Sequence, residues 1–277
     1  MTHILTEKAG AVGIITIDRA GRFNALDVAT AQDFRKAGLL FARDAAVRAV
    51  VLRGANGVFC SGADLKYIRS GGEGADLSYL QGSRETPKGY GEVFKQILEY
   101  IHSTISEIKR ASKPFLAAVD GVAAAGGFGI AMACDLVYAS ERASFEWAYG
   151  KTGLTGAESS TFFLPRLLGL RRAMELVLLN PRLDAKTALE WGLVNAVLPN
   201  EGFNKRVLEI AAKLAAGPTE ALGIAKGLVQ QAAGVDRLDF HLDREIEALS
   251  RIADGADFAE GLDGFLTKRV PEFSGKG

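Results

Sequence analysis

The chain has 277 residues, 48% apolar and 24% charged, which is ample for a full hydrophobic core and unlike a disordered segment. Lysine plus arginine and aspartate plus glutamate number 33 each, so the net charge is zero and no global field draws nucleic acid or an anionic membrane. The longest uncharged run, residues 121–134, is 14 residues long, short of the ~20 that a membrane-spanning helix needs; no secretory or transit segment is visible, and the cytoplasm is the expected compartment.

Residues 12–18 (VGIITID) are β-branched and predict a strand. Asp27 is a candidate N-cap for a helix running to about Arg43. Residues 47–53 (VRAVVLR) predict a second strand, and residues 58–64 (VFCSGAD) an apolar approach to a turn, with a helix starting near Asp64. Residues 70–91 hold six glycines and little periodicity. They predict a long loop, either a lid over a site or a tolerated insertion. Phe94, Leu98, Ile101, Ile105 and Ile108 recur at helical spacing, so residues 92–110 predict an amphipathic helix, with His102 beside the stripe as a packing or surface residue in preference to a catalytic one.

Residues 115–119 (FLAAV) predict a buried strand, residues 121–129 a glycine-rich turn, and a small-residue helix follows to Cys134; residues 135–139 (DLVYA) predict another strand. This alternation marks a layered α/β domain. From residue 161 the pattern is helical: 161–168, 170–179, 184–190, 203–216, 219–232, 236–252 and 256–269, with a strand at 193–198. The expected organisation is an α/β core over residues 1–200, carrying the site, and a helical region over 201–277. Cys60 and Cys134 lack a CxxC partner and read as reduced core thiols. His3, His102 and His241 show no metal-ligand spacing, so no metal site is expected.

Two turns are suited to chemistry: Ser61-Gly62-Ala63-Asp64-Leu65 and Ala123-Ala124-Ala125-Gly126-Gly127-Phe128-Gly129. Each follows a strand and opens a helix. The first N–H groups of a helix have no internal partner and carry the positive end of its dipole. Small residues let a ligand approach them closely. Two such N–H groups converging on one point form an oxyanion hole. Close helix–sheet packing is the other reading of the second string.

With these turns in place, the sequence resembles the crotonase, or enoyl-CoA hydratase/isomerase, superfamily. The resemblance is carried by Arg22-Phe23-Asn24-Ala25-Leu26, Phe59 to Leu65, Ala118-Val119-Asp120-Gly121 through Gly126-Gly127 to Cys134-Asp135, Leu164-Pro165-Arg166, Ala188 to Val194, and Glu260-Gly261 through Lys268-Arg269. It implies an α/β fold: a crotonase-like spiral of strand–strand–helix units with a helical C-terminal trimerisation region. It also implies a homotrimer or dimer of trimers, an acyl-CoA thioester substrate, and no cofactor beyond the coenzyme A of that substrate. Ala63 and Gly126 match the positions whose N–H groups hold the thioester oxygen. For coenzyme A, the resemblance points to Arg22, Ala25, Ser61, Asp64, Leu65 and Lys66, and to Phe265 and Lys268 reaching over from a neighbouring subunit's last helix.

The sequence departs from the family's hydratases. Their two glutamates fall at Gly129 and Tyr149 here. Other branches carry one acid at the position of Ala157; here Glu158 stands one place later. A lone buried carboxylate has its pKa raised and suits acid/base work, while capping of the helix that begins near Ser159 is the alternative role. Trp147 and Phe162 are candidates for an aryl pocket, or else for the core. The expectation is double-bond isomerisation with Glu158 as the single acid/base. The alternatives are a hydratase, aryl-CoA dehalogenase or hydrolase using Glu158 with Tyr149, and an acyl-CoA-binding protein of low activity.

Overall fold

A computed structural model describes residues 3–72 and 89–275 of the chain. An antiparallel hairpin of β1 (Ile4–Ala9) and β2 (Val12–Ile17) opens it. Parallel strands β3 (Ala49–Gly54), β4 (Phe115–Val119), β6 (Leu136–Ser140) and β9 (Ala196–Leu198) extend this into a six-stranded sheet, in the order β1-β2-β3-β4-β6-β9. A second, small sheet holds β5 (Val122–Ala124), β7 (Ser144–Glu146) and β8 (Arg182–Asp184), with β5 and β7 parallel and β8 antiparallel.

The connections between the sheets repeat. The chain leaves β3, bridges β5 through Cys60 opposite Ala123, and enters α2 (Leu65–Arg69). It leaves β4, forms β5 and enters α4 (Gly126–Ala133). It leaves β6, forms β7, passes a 3-10 turn (Tyr149–Thr152) and enters α5 (Ser160–Leu179). Each turn of this spiral ends in a loop that leads into a helix, and residues of all three loops line one cavity.

Parallel strands are buried on both faces and read as continuous apolar runs. Alternate residues Val12, Ile14, Ala49, Val51, Leu116 and Ala118 meet Phe203, Val207, Ala211 and Ala215 of α7 (Phe203–Ala216). Their neighbours, such as Ile15, Ile17, Leu52 and Phe115, join the main core. There α1 (Val28–Arg43) packs on α3 (Tyr90–Arg110), and α3 on α9 (Leu238–Ala253). The remaining helices are α6 (Ala185–Trp191), α8 (Thr219–Ala232) and α10 (Ala256–Thr267). Among the described residues, no helix is long and apolar enough to cross a membrane.

Asp27 caps α1 as expected, accepting the Thr30 N–H at 2.8 Å. The two helices expected at 161–168 and 170–179 form one element broken at Gly169 (φ 73°, ψ 161°). Most of the loop expected over 70–91 lies outside the described residues, and α3 already begins at Tyr90, its Gly91 N–H held by Asp254 at 2.7 Å. Four strands went unpredicted. β5, β7 and β8 have three residues each, too few to set up an alternation, and β1 is an edge strand with only Ile4 buried.

Candidate active site

The turn after β3 is tied down from two directions. Phe59 and Cys60 both donate backbone N–H bonds to the Val122 carbonyl, at 3.0 and 3.1 Å. Leu26 N–H donates to Gly62 O and Asp64 N–H to Leu26 O, both at 2.8 Å, so Ala63 is pinned between two bonded neighbours. Its own N–H has no protein acceptor among the described residues. Arg19 braces the assembly, donating to Ala25 O at 3.0 Å and to Asp64 Oδ2 at 2.8 Å, and pairing with Asp27. Asp64 also caps α2, accepting from Lys66 and Tyr67 N–H at 3.1 and 3.2 Å.

The second turn lies directly against the first. A Cβ added to Gly62 would stand 3.2 Å from the Gly126 nitrogen and 2.7 Å from Ala125 Cβ. Ala125 takes an unusual backbone conformation (φ 45°, ψ −119°), held by its N–H bond to Glu146 O at 3.1 Å. Gly126 then opens α4, and its N–H, like that of Ala63, has no protein acceptor among the described residues. Ala63 and Gly126 both line a cavity of about 390 Å³.

Opposite these amides sits Glu158, 3% exposed, on the same cavity. A Cβ on Gly126 would meet Glu158 Oε1 at 2.7 Å, so the carboxyl group lies against the oxyanion turn. The Tyr149 hydroxyl donates to Glu158 Oε2. Burial pushes the Glu158 pKa up to about 8, opposed by the Tyr149 hydrogen bond and aided by the negative charge of Glu245. Tyr149 is itself held well above its ordinary value, by burial first and then by the adjacent carboxylate, and keeps its proton. His102 lies behind, accepting the Glu158 N–H on Nε2 at 3.0 Å, and burial drops its pKa to about 3. It is a neutral acceptor with its proton on Nδ1.

The hydratase position at Gly129 is physically closed. A Cβ there would stand 2.3 Å from the Glu158 carbonyl oxygen and 2.9 Å from its Cβ. The main chain of residue 158 occupies the room that a side chain at 129 would need.

The other expected residues divide. Arg22, Ala25, Ser61, Leu65 and Lys66 line the cavity, with Arg22 and Lys66 at its solvent end. Asp64 lines it too, but its carboxylate is committed to Arg19 and the α2 cap. Phe265 forms part of the wall from within the same chain, because α10 folds back over the 3-10 turn. That close approach requires Gly261, where a Cβ would stand 2.7 Å from the Thr152 backbone. Phe265 thus lies on the wall of its own chain's cavity. Lys268 ends α10 in a left-handed conformation (φ 60°) and is not part of the cavity wall. Glu158 does not cap α5; Glu245 does, accepting from Ser159 N–H at 2.8 Å and Thr161 N–H at 3.1 Å. Trp147 and Phe162 are also off the cavity wall: Trp147 backs the Tyr149 ring, centroids 5.1 Å apart, and Phe162 packs on Phe163 and His241.

Three contributors escape the sequence reading. Arg19 carries no local signal for its role. The Glu146–Lys151 ion pair, also on the cavity wall, looks like ordinary surface charge in sequence. Glu245 had a signal: it falls three residues after Leu242 and four before Leu249, on the apolar face of α9.

Comparison with known proteins adds four findings. The family model for enoyl-CoA hydratase/isomerase matches residues 7–276. The chain is 34% identical over 268 residues (97% of its length, 92% of the relative's) to 4-chlorobenzoyl coenzyme A dehalogenase-2 of an Arthrobacter species. It is 31% identical over 278 residues, the whole of both chains, to the 1,2-epoxyphenylacetyl-CoA isomerase of Escherichia coli K12. A crystal structure of an enoyl-CoA hydratase from Mycobacterium avium subsp. paratuberculosis superposes with a TM-score of 0.85 at 31% identity, covering 99% of each chain.

Proposed function

The chain belongs to the enoyl-CoA hydratase/isomerase family, and from that premise we propose that it shifts the double bond of an acyl-CoA thioester, with Glu158 as the single acid/base. The observation that carries this reading is the placement of one buried carboxyl against Gly126, with Gly129 and Tyr149 where hydratases of the family carry their glutamates.

The chemistry runs as follows. The thioester oxygen accepts from the Ala63 and Gly126 N–H groups. The Glu158 carboxylate takes a proton from C2 of a 3-enoyl thioester. The C–H electron pair moves into the conjugated system, and the resulting dienolate places its charge on the thioester oxygen. Protonated Glu158 returns the proton to C4, which leaves the 2-enoyl thioester and restores the carboxylate. Each donor to a developing oxyanion contributes on the order of 10²–10³ in rate. A carboxyl titrating at about 8 works near neutral pH in both directions. Tyr149 holds one carboxyl oxygen and leaves the other for the substrate. Arg22 and Lys66, at the open end, are placed to meet the phosphates of coenzyme A.

A second reading rests on the 34% identity to the dehalogenase: Glu158 would attack an aryl-CoA ring as a nucleophile. Purified protein offered 3-enoyl-CoA and 4-halobenzoyl-CoA, with products followed by mass, decides between them. Isomer without mass change supports the first reading; halide release overturns it.

We also propose self-association, as in the family. The far half of α5 exposes Leu170, Met174, Leu178 and Leu179, and α8 exposes Ile224, Leu228 and Val229, more apolar side chains than a lone surface helix usually leaves in water. Sedimentation is expected to give a trimer or a multiple of it; a monomer at micromolar concentration overturns this.

A further inference from the structure

Behind Glu158 lies a buried polar cluster that takes no part in the proton transfer. Residues 158 and 159 both adopt left-handed backbone conformations, φ 49° and 63°, which non-glycine residues seldom take without outside support. Ser159, the N-cap of α5, makes no capping bond with its own side chain. The support comes instead from two distant helices. From α9, Glu245 accepts the Ser159 N–H at 2.8 Å, the Thr161 N–H at 3.1 Å and the Thr161 hydroxyl. From α3, His102 Nε2 accepts the Glu158 N–H at 3.0 Å and stands 3.6 Å from Glu245 Oε2. Both side chains are 4% exposed.

We infer that His102 and Glu245 are positioning residues, which hold the left-handed turn at 158–159 and so keep the Glu158 carboxyl aimed at the cavity. The inference rests on the reading of Glu158 as acid/base. Three amides of one strained turn, at 158, 159 and 161, are gripped by two side chains from separate elements, and releasing either lets the turn relax toward ordinary angles. Residue 158 is at the centre of the turn, so relaxation moves its Cβ and carboxyl directly. A helix that needed only a cap would be served by its own Ser159 hydroxyl. A carboxylate drawn in from α9 instead places a negative charge near Glu158.

That charge gives the inference a signature. Glu158 faces Tyr149 from the 3-10 turn, His102 from α3, Glu245 from α9 and Cys60 below the first turn. Glu245 faces Ser159 and Thr161 of α5, His102 of α3, His241 of its own helix, and Tyr149. Cys60, pushed up to about 12 by burial, and His102, at about 3, are neutral in the working range. The two carboxyls are therefore the charges that count, and removing one lets the other ionise more readily.

The test is Glu245→Gln, assayed on 3-enoyl-CoA across pH with Glu158→Gln alongside and the exposed Glu247→Gln as control. A glutamine keeps the size of the side chain but meets one of the two α5 amides with a donor. The expected result is a kcat lower by between about tenfold and 10²-fold, the effect of a misplacement of roughly 1 Å, with KM within about twofold and the acid limb of the pH profile moved to lower pH. Any other pattern in a folded Glu245→Gln overturns the inference. If that variant does not fold, the kcat and KM limits apply to His102→Leu, and failure of both to fold assigns the pair to stability alone and overturns it. An inactive Glu158→Gln beside an unaffected Glu245→Gln sinks this inference alone; a fully active Glu158→Gln sinks the acid/base reading with it.

Discussion

Around Ala63, carboxylates meet a cation: Arg19 pairs with Asp64 and Asp27, and these three charges serve to fix the backbone. Around Glu158, two carboxyls lie buried with no lysine or arginine pairing them among the described residues, and burial pushes them up to about 8 and about 7. One residue type thus does opposite work around a single cavity. Where a carboxylate holds a loop, a guanidinium is bonded to it. Where the proposed function has one give and take a proton, no cation pairs it among the described residues, and desolvation brings its pKa toward neutrality.

The sharpest way to break this contrast is Glu158→Gln. Turnover is expected to fall by about 10²–10⁴-fold, the range for loss of a general acid/base, while acyl-CoA affinity by equilibrium dialysis stays near that of the parent. Next comes Arg19→Met, which leaves Asp27 buried without its cation and Asp64 with only the part-exposed Arg22, 3.7 Å away. Removing one partner of a buried pair costs about 3–5 kcal/mol, read as a lower midpoint in urea. The two variants should move stability in opposite directions. A carboxyl whose folded pKa lies above its unfolded value binds more protons when folded, so its burden on stability grows as pH rises from about 4.5 to about 8 and is constant above that. Glu158→Gln removes that burden. Its gain in melting temperature over the parent is expected to widen across that window; a gain that narrows, or none, contradicts the proposed burial of the ionisable form.

Tyr149→Phe sharpens the contrast further. The lost hydrogen bond lowers the Glu158 pKa in the parent, so the acid limb of the kcat/KM profile is expected to move above about 8. An unmoved limb would mean that Tyr149 does not touch the working carboxylate. The smallest effect is at the mouth. Lys66→Ala, an exposed charge, should raise KM for a coenzyme A thioester by a factor worth roughly 1 kcal/mol or less and leave kcat alone, checked by steady-state kinetics at two salt concentrations.

Much of the first wall was legible in the residues. Ser61 to Leu65 and Ala123 to Gly129 are local strings, and the need for small residues before a helix start is written in them. The spiral of strand–strand–helix units followed from the family resemblance, and the superposition with a family structure agrees with it. The second wall was less legible. Glu158 was visible as an acid one place off the expected position, but its neighbours at His102 and Glu245 are 56 and 86–87 residues away in sequence. His102 read as a packing residue beside a helical stripe, and it does pack there, with its ring nitrogen on the one amide that matters. The place of Phe265 on its own chain's cavity wall is not legible in α10, because nothing in that helix itself says which way it folds.

The amino-acid string by itself settled the alternation of strands and helices and the pair of small-residue turns, since those depend on backbone shape over short stretches of chain. Only the folded chain decided that residue 158's main chain fills the space beside Gly129, that its carboxyl is buried with no cation pairing it among the described residues, and that Phe265 lines its own chain's cavity. Dryness and charge neighbourhood are sums over elements far apart along the chain, and no short stretch of sequence contains them.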